Sequence, residues 1–118
     1  MTQFFRSSAM RRFAGLSAIC LMVAIAVLSL LPPNDLPPVE GSDKLHHFIA
    51  YGSLGGAMAI AAGPGRALRA FLMTIGYGAL IEIAQALAPT GREFSLLDEI
   101  ANTLGAGLGT GIALALRR

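Results

Sequence analysis

Residues 13–31 (FAGLSAICLMVAIAVLSLL) form an apolar run without a single charged side chain. An α-helix rises about 1.5 Å per residue, so this run can cross the roughly 30 Å hydrocarbon core of a bilayer. A signal peptide cleaved after Ala26 is the alternative, but the apolar run continues to Leu31 and more apolar segments follow. The run therefore predicts a membrane-spanning helix that ends at Pro32 and Pro33.

Three further apolar segments follow, at 43–62, 70–88 and 96–116. Charged residues make up 14% of the chain, whereas a soluble domain carries about 25%. The sequence therefore predicts an all-α fold, an integral membrane bundle of four transmembrane helices. This bundle forms one domain over 13–116 and is preceded by a basic segment at 1–12.

Lysine and arginine are distributed unevenly between the two ends of the predicted bundle. Of the 9 Lys and Arg residues, only Lys44 and Arg92 lie at the end opposite to the chain termini. Cytoplasmic loops carry an excess of Lys and Arg, so we expect both termini in the cytoplasm and a multi-pass protein of the bacterial plasma membrane. The basic residues form no single patch, which argues against nucleic-acid binding.

Polar side chains gather at the predicted outer end of the bundle. They are Asp43, Lys44, His47 and Tyr51 on the second segment, Glu82 and Gln85 on the third, Arg92 in the turn after it, and Asp98 and Asn102 on the fourth. Residues three or four apart share a helix face, so each segment turns its polar residues one way. Ionisable groups are costly inside a bilayer and must satisfy each other or serve a ligand. We therefore predict one polar cluster at the outer face.

The residue types of this cluster suit general acid–base chemistry and anion binding. Glu82 and His47 are the candidates for handling protons, and Asp98 is the candidate for orienting them. Arg92 and Lys44 would contact phosphate. The remaining candidate ligand-binding residues are Asp43, Tyr51, Gln85 and Asn102.

A divalent ion held by His47, Glu82 and Asp98 is conceivable, but no HExxH-like spacing supports it. We therefore predict neither a metal nor a cofactor. The sequence leaves open whether any bond is made or broken.

Several members of the cluster also have a structural explanation. Asp98 suits the positive end of a helix dipole, and Lys44 can extend its ammonium group to the headgroups. Gln85 and Asn102 could join neighbouring helices by hydrogen bonds. A non-catalytic scaffold or accessory subunit, locked by its polar network, is therefore the alternative function.

Glycines recur at four-residue spacing in two of the predicted helices. The pairs are Gly52 and Gly56, Gly105 and Gly109, and Gly107 and Gly111. Small residues at this spacing let membrane helices approach closely. We expect packing within the bundle to use them, with a homo-oligomer as the alternative.

Two blocks of the sequence resemble signatures of the VanZ-like family. SDKLHHFIAYGSLG is similar to the family pattern Asp-Lys-x-x-His-Phe-x-x-Tyr, with His47 rather than His46 at the histidine position. EIAQALAPTGREFSLLDEIANTLGAGLG resembles Glu-x-x-Gln, a turn with proline and arginine, and then Asp-x-x-x-Asn-x-x-Gly-x-x-x-Gly. The nine polar residues named above occupy the family's characteristic positions.

The resemblance implies a small polytopic membrane protein, and the eponymous member of the family assists resistance to the glycopeptide antibiotic teicoplanin. For this chain we expect an outward-facing site that binds an anionic lipid or a lipid-linked cell-envelope precursor. Chemical modification of the bound ligand is left open. A role in antibiotic resistance is an expectation at the level of the family only.

Overall fold

The computed structural model describes residues 2–31, 43–88 and 96–117. Within these ranges the chain forms five α-helices and no strand. They are α1 (Thr2–Arg6), α2 (Ser8–Leu30), α3 (Asp43–Ala62), α4 (Ala67–Leu87) and α5 (Leu96–Arg117). The all-α prediction is confirmed, and α3 coincides with the segment predicted at 43–62.

The helical part of the chain begins earlier than the apolar run at residue 13. The hydroxyl oxygen of Ser7 accepts the backbone N–H of Met10 at 3.1 Å, and Ser7 itself has an extended backbone. A serine in this position satisfies a free N–H group in the first turn of a helix. This cap starts α2 at Ser8, so the helix includes the basic residues Arg11 and Arg12.

The backbones of α3 and α5 contact each other along a glycine seam, formed by Gly52, Gly56, Gly105 and Gly109. A Cβ at Gly52 would lie 3.2 Å from the carbonyl oxygen of Gly105, and one at Gly56 would lie 3.2 Å from that of Gly109. A Cβ at Gly105 would collide with the carbonyl oxygen of Phe48. These two helices run parallel, and the seam glycines serve packing within one chain. Association of copies through other glycines stays a prediction.

Hydrogen bonds from side chains to backbone carbonyls show which ends of the other helices lie together. Arg11 of α2 donates to the carbonyl oxygens of Ala61 and Ala62 at 3.3 Å, which caps the last turn of α3. At the opposite end Gln85 Nε2 of α4 donates to the carbonyl oxygen of Ser29 at 2.7 Å. Helices α2 and α4 therefore run parallel to each other and antiparallel to α3 and α5.

Large apolar side chains are exposed on all four long helices, including Leu16, Leu80 and Leu104. Soluble monomers rarely expose contiguous apolar surface of this kind. Two helices, α2 and α4, are long and apolar enough to cross a membrane, and only 17% of the apolar window in α2 is buried. These features indicate a membrane protein. The four-span arrangement and its orientation stay predictions.

Candidate functional site

Three helices bring one acidic or imidazole side chain each to a common point. His47 comes from the first turns of α3, Glu82 from the last turns of α4, and Asp98 from the start of α5. One nitrogen or oxygen atom from each lies within 4.8 Å of those of the other two. Glu82 is fully buried and Asp98 is 9% exposed. We call these three residues the carboxylate–histidine cluster.

The imidazole of His47 is held between two side chains of α5. Its Nδ1 lies 2.9 Å from Oδ1 of Asn102, and its Nε2 lies 3.6 Å from Oδ2 of Asp98. Asn102 donates from Nδ2 to Oε2 of Glu99 at 3.5 Å, which assigns Oδ1 as the acceptor facing the histidine. An amide oxygen only accepts, so Nδ1 of His47 carries a proton and Nε2 faces the carboxylates.

Lys44 forms the solvent-facing rim of the cluster. Its ammonium group lies 3.3 Å from Oδ1 of Asp98, and its side chain is 51% exposed, against 13% for Asp98. Asp98 therefore contacts the lysine with one oxygen and the histidine with the other. Lys44 is therefore the exposed partner of a mostly buried carboxylate.

Tyr51 and Gly78 form the inner wall of the site. The ring of Tyr51 is almost parallel to that of His47, with ring centroids 6.3 Å apart, and Tyr51 is 2% exposed. A Cβ at Gly78 would lie 3.1 Å from Cε1 of Tyr51 and 3.1 Å from Nδ2 of Asn102. The absence of a side chain at Gly78 lets α4 approach both residues. Gly78 was not among the residues predicted for the site.

Glu99 is a second residue of the site that was not among the predicted ones. It accepts the amide N–H of Asn102 with Oε2, while its buried Oε1 accepts no hydrogen bond from the described residues. Its position three residues before Asn102 was the available signal, because such residues share a helix face. Glu99 therefore belongs to the polar surroundings of His47.

Three predicted site residues are not brought to the cluster by any described contact. Gln85 is buried, but its amide nitrogen binds the carbonyl oxygen of Ser29 in α2 and so joins two helices. Arg92 lies outside the described residues. Asp43 is the first residue of α3, and the prediction for its side chain also lies outside what the structure describes.

An apolar groove runs between α3 and α5 directly below the site. It has a volume of about 350 Å³, and its lining includes Phe48, Gly52, Gly56, Leu108 and Ile112. Phe48 follows His47 in the chain, and Gly56 lies about 12 Å further along the helix axis at a rise of about 1.5 Å per residue. The groove therefore begins one residue after His47 in the chain and follows the apolar parts of α3 and α5.

The fold and the site define a small all-α membrane protein with a buried polar cluster near one end of its helices. The sequence model of the VanZ/LLP1 family matches residues 3–117. The chain belongs to this family, and the resemblance noted in its two signature blocks is confirmed. No curated protein and no solved structure shows significant similarity to the chain.

Proposed function

We propose that the chain is a four-span protein of the bacterial plasma membrane whose polar cluster binds an anionic lipid or lipid-linked envelope precursor. In this proposal α2 to α5 are the spans, both termini are cytoplasmic, and the cluster faces outward. The observation that carries the proposal is the convergence of His47, Glu82 and Asp98 inside an otherwise apolar bundle. Such groups are costly in a membrane and most often mark a functional site.

A lipid is the ligand that best fits the surroundings of the cluster. The exposed ammonium group of Lys44 suits a phosphate at headgroup depth. The groove that starts at Phe48 suits an acyl chain, because it is apolar and open along its length. A lipid bound this way would place its headgroup at the rim and its tail against α3 and α5.

The proposal extends to chemistry on the bound headgroup. Glu82 and His47 would exchange protons with it, while Asp98 and Asn102 hold the imidazole in one orientation. Tyr51 would support the ring from the side. A link to glycopeptide resistance is an expectation at the level of the family only and does not support this assignment.

Lipids that copurify with the protein test the proposal. We expect mass spectrometry of purified wild-type protein to find an anionic envelope lipid bound, and Glu82→Gln and His47→Ala to lose it at least tenfold. His46→Ala is the matched control, since it removes the neighbouring imidazole on the same helix. Equal lipid retention in all four proteins would reject the site.

The alternative function is a scaffold whose polar network only locks the helices together. The bond from Gln85 to Ser29 supports it, since one residue predicted at the site has such a locking contact. The scaffold predicts that Glu82→Gln and His47→Ala fail to accumulate in the membrane. Normal accumulation together with lipid loss favours the binding site instead.

A further inference from the structure

We propose that His47, Glu82 and Asp98 hold a divalent transition-metal ion, with Zn²⁺ or Mn²⁺ as the class of cation. One imidazole nitrogen and two carboxylate oxygens form a donor set that suits these ions. The three residues come from three helices. Their positions in the sequence therefore form no compact motif, which is why the sequence alone gave no support for a metal.

The histidine is oriented as metal-bound histidines are. Such residues donate their second ring N–H to a carbonyl or carboxylate, which fixes the tautomer and the direction of the ligating nitrogen. His47 has this arrangement, because Nδ1 is bonded to Oδ1 of Asn102 at 2.9 Å. Its Nε2 is directed towards the carboxylate of Asp98, 3.6 Å away. Asn102 is in turn held by Glu99.

The donor atoms are close to the separation that one ion requires. They lie within 4.8 Å of one another, whereas donors on one zinc ion at about 2.1 Å are roughly 3.4 Å apart. Rotation of the side chains has to close up to about 1.4 Å, the difference between these two separations. The Lys44 partner of Asp98 does not block this movement, because it is a half-exposed side chain that can turn to solvent.

Three protein donors leave at least one coordination position for water or an anionic group. A cation here would offset the charge of two buried carboxylates and would attract the phosphate of a lipid. That last step rests on the proposed function, whereas the ion site itself does not. With an ion bound, His47 and Glu82 act as ligands and do not exchange protons, so the metal content decides between these two roles.

Zinc binding to the full-length protein in detergent tests the site. The protein is first stripped with a chelator, and Zn²⁺ is then titrated in competition with a chromophoric chelator, with metal content measured by mass spectrometry. We expect one equivalent per chain and at least a tenfold loss of affinity in His47→Gln, Glu82→Gln and Asp98→Asn. His46→Gln is the matched control and should bind as the wild type does.

Three results would overturn the site: no stoichiometric zinc in the wild type, full affinity in His47→Gln, or equal losses in His46→Gln and His47→Gln. Should the variants not fold, electron paramagnetic resonance of Cu²⁺-loaded wild type decides. Coupling to one imidazole nitrogen supports the site, and absence of coupling rejects it. Binding of phosphatidylglycerol vesicles to stripped and zinc-loaded protein is measured separately. Zinc uptake without lipid binding would reject the lipid proposal but leave the metal site intact.

Discussion

Asn102 determines the chemistry of the cluster although it carries no charge. It is fully buried, accepts the proton on Nδ1 of His47, and donates to Glu99. Carboxylates and histidine alone would leave the ring free to flip, because both of its nitrogens can donate or accept. The amide selects one of these states, and Nε2 is the nitrogen that a ligand or metal meets.

Asn102→Ala should destabilise the protein and weaken the site. It leaves a buried imidazole N–H without its acceptor, which costs about 1–3 kcal/mol in free energy of unfolding. It should also lower zinc affinity about 10- to 100-fold, as loss of a ligand's hydrogen-bond partner does. Chemical denaturation and the zinc titration measure the two effects.

Thr103→Ala is the control for that change. The hydroxyl of Thr103 donates to the carbonyl oxygen of Glu99 within its own helix and contacts no other helix through this bond. We expect its zinc affinity to equal that of the wild type. A loss in Thr103→Ala as large as in Asn102→Ala would contradict the role given to the amide.

Gly78→Ala tests the inner wall of the site. The new Cβ would lie 3.1 Å from both Tyr51 and Asn102, which have little room to move because both are buried. Overpacking of this kind costs about 1–3 kcal/mol, so unfolding should occur at lower denaturant. Gly76→Ala faces open space on the same helix and should gain up to about 1 kcal/mol from better helix propensity. Equal effects at the two positions would refute the close approach of α4.

At the scale of the elements, α3 and α5 form a pair whose separation is set by glycine. In Gly109→Ala the added Cβ would overlap the carbonyl oxygen of Gly52. We expect this variant to force the helices apart, lower the thermal stability of the detergent-solubilised protein and reduce lipid retention. Gly111→Ala, which meets no atom within 4 Å, should retain both. Stability loss in Gly111→Ala alone would point to an interface between copies instead.

Helices α2 and α4 are joined by polar contacts. Gln85 bonds to Ser29, and the hydroxyl of Tyr77 donates to the carbonyl oxygen of Met22 at 2.5 Å. Hydrogen bonds between membrane helices contribute about 0.6 kcal/mol on average and up to about 1.7. Gln85→Leu should therefore lose stability within that range and keep its bound lipid. Ser29→Ala, which retains the accepting carbonyl, should change neither.

The sequence predicted the helices because long apolar runs end at clear polar or glycine–proline boundaries. It placed Asp98 and Asn102 on one face because i, i+4 spacing within a helix fixes which side chains share a face. It placed His47 beside them because all three lie at the same end of the predicted bundle. It could not predict the contact of Gln85, which depends on how α4 is rotated against α2. It selected Asp98 and omitted Glu99, although Glu99 lies three residues before Asn102 and contacts its amide. The start of α2 depends on the cap at Ser7, which apolar patterning does not reveal.

At the scale of the whole molecule, the two ends of the bundle differ in chemistry. Arg11 caps α3 at one end, near the turn with Arg66, and the carboxylate–histidine cluster occupies the other. This asymmetry agrees with the proposed orientation, because basic residues favour the cytoplasmic side.

Cysteine labelling measures that orientation directly. In a Cys20→Ser background, Thr90→Cys should react with a membrane-impermeant maleimide in intact cells. Pro64→Cys should react only after the membrane is permeabilised. The reverse pattern would place the cluster in the cytoplasm and exclude an outward-facing site.

The glycine seam has a mechanical consequence for the site above it. Backbone packed on backbone has no side-chain rotamers to rearrange, so we expect α3 and α5 to move as one rigid unit. His47 and Asn102 lie on this unit about one turn from Gly52 and Gly105. The distance between their side chains should therefore be insensitive to bilayer thickness. We expect any change in the width of the site to come from α4, the helix that carries Glu82.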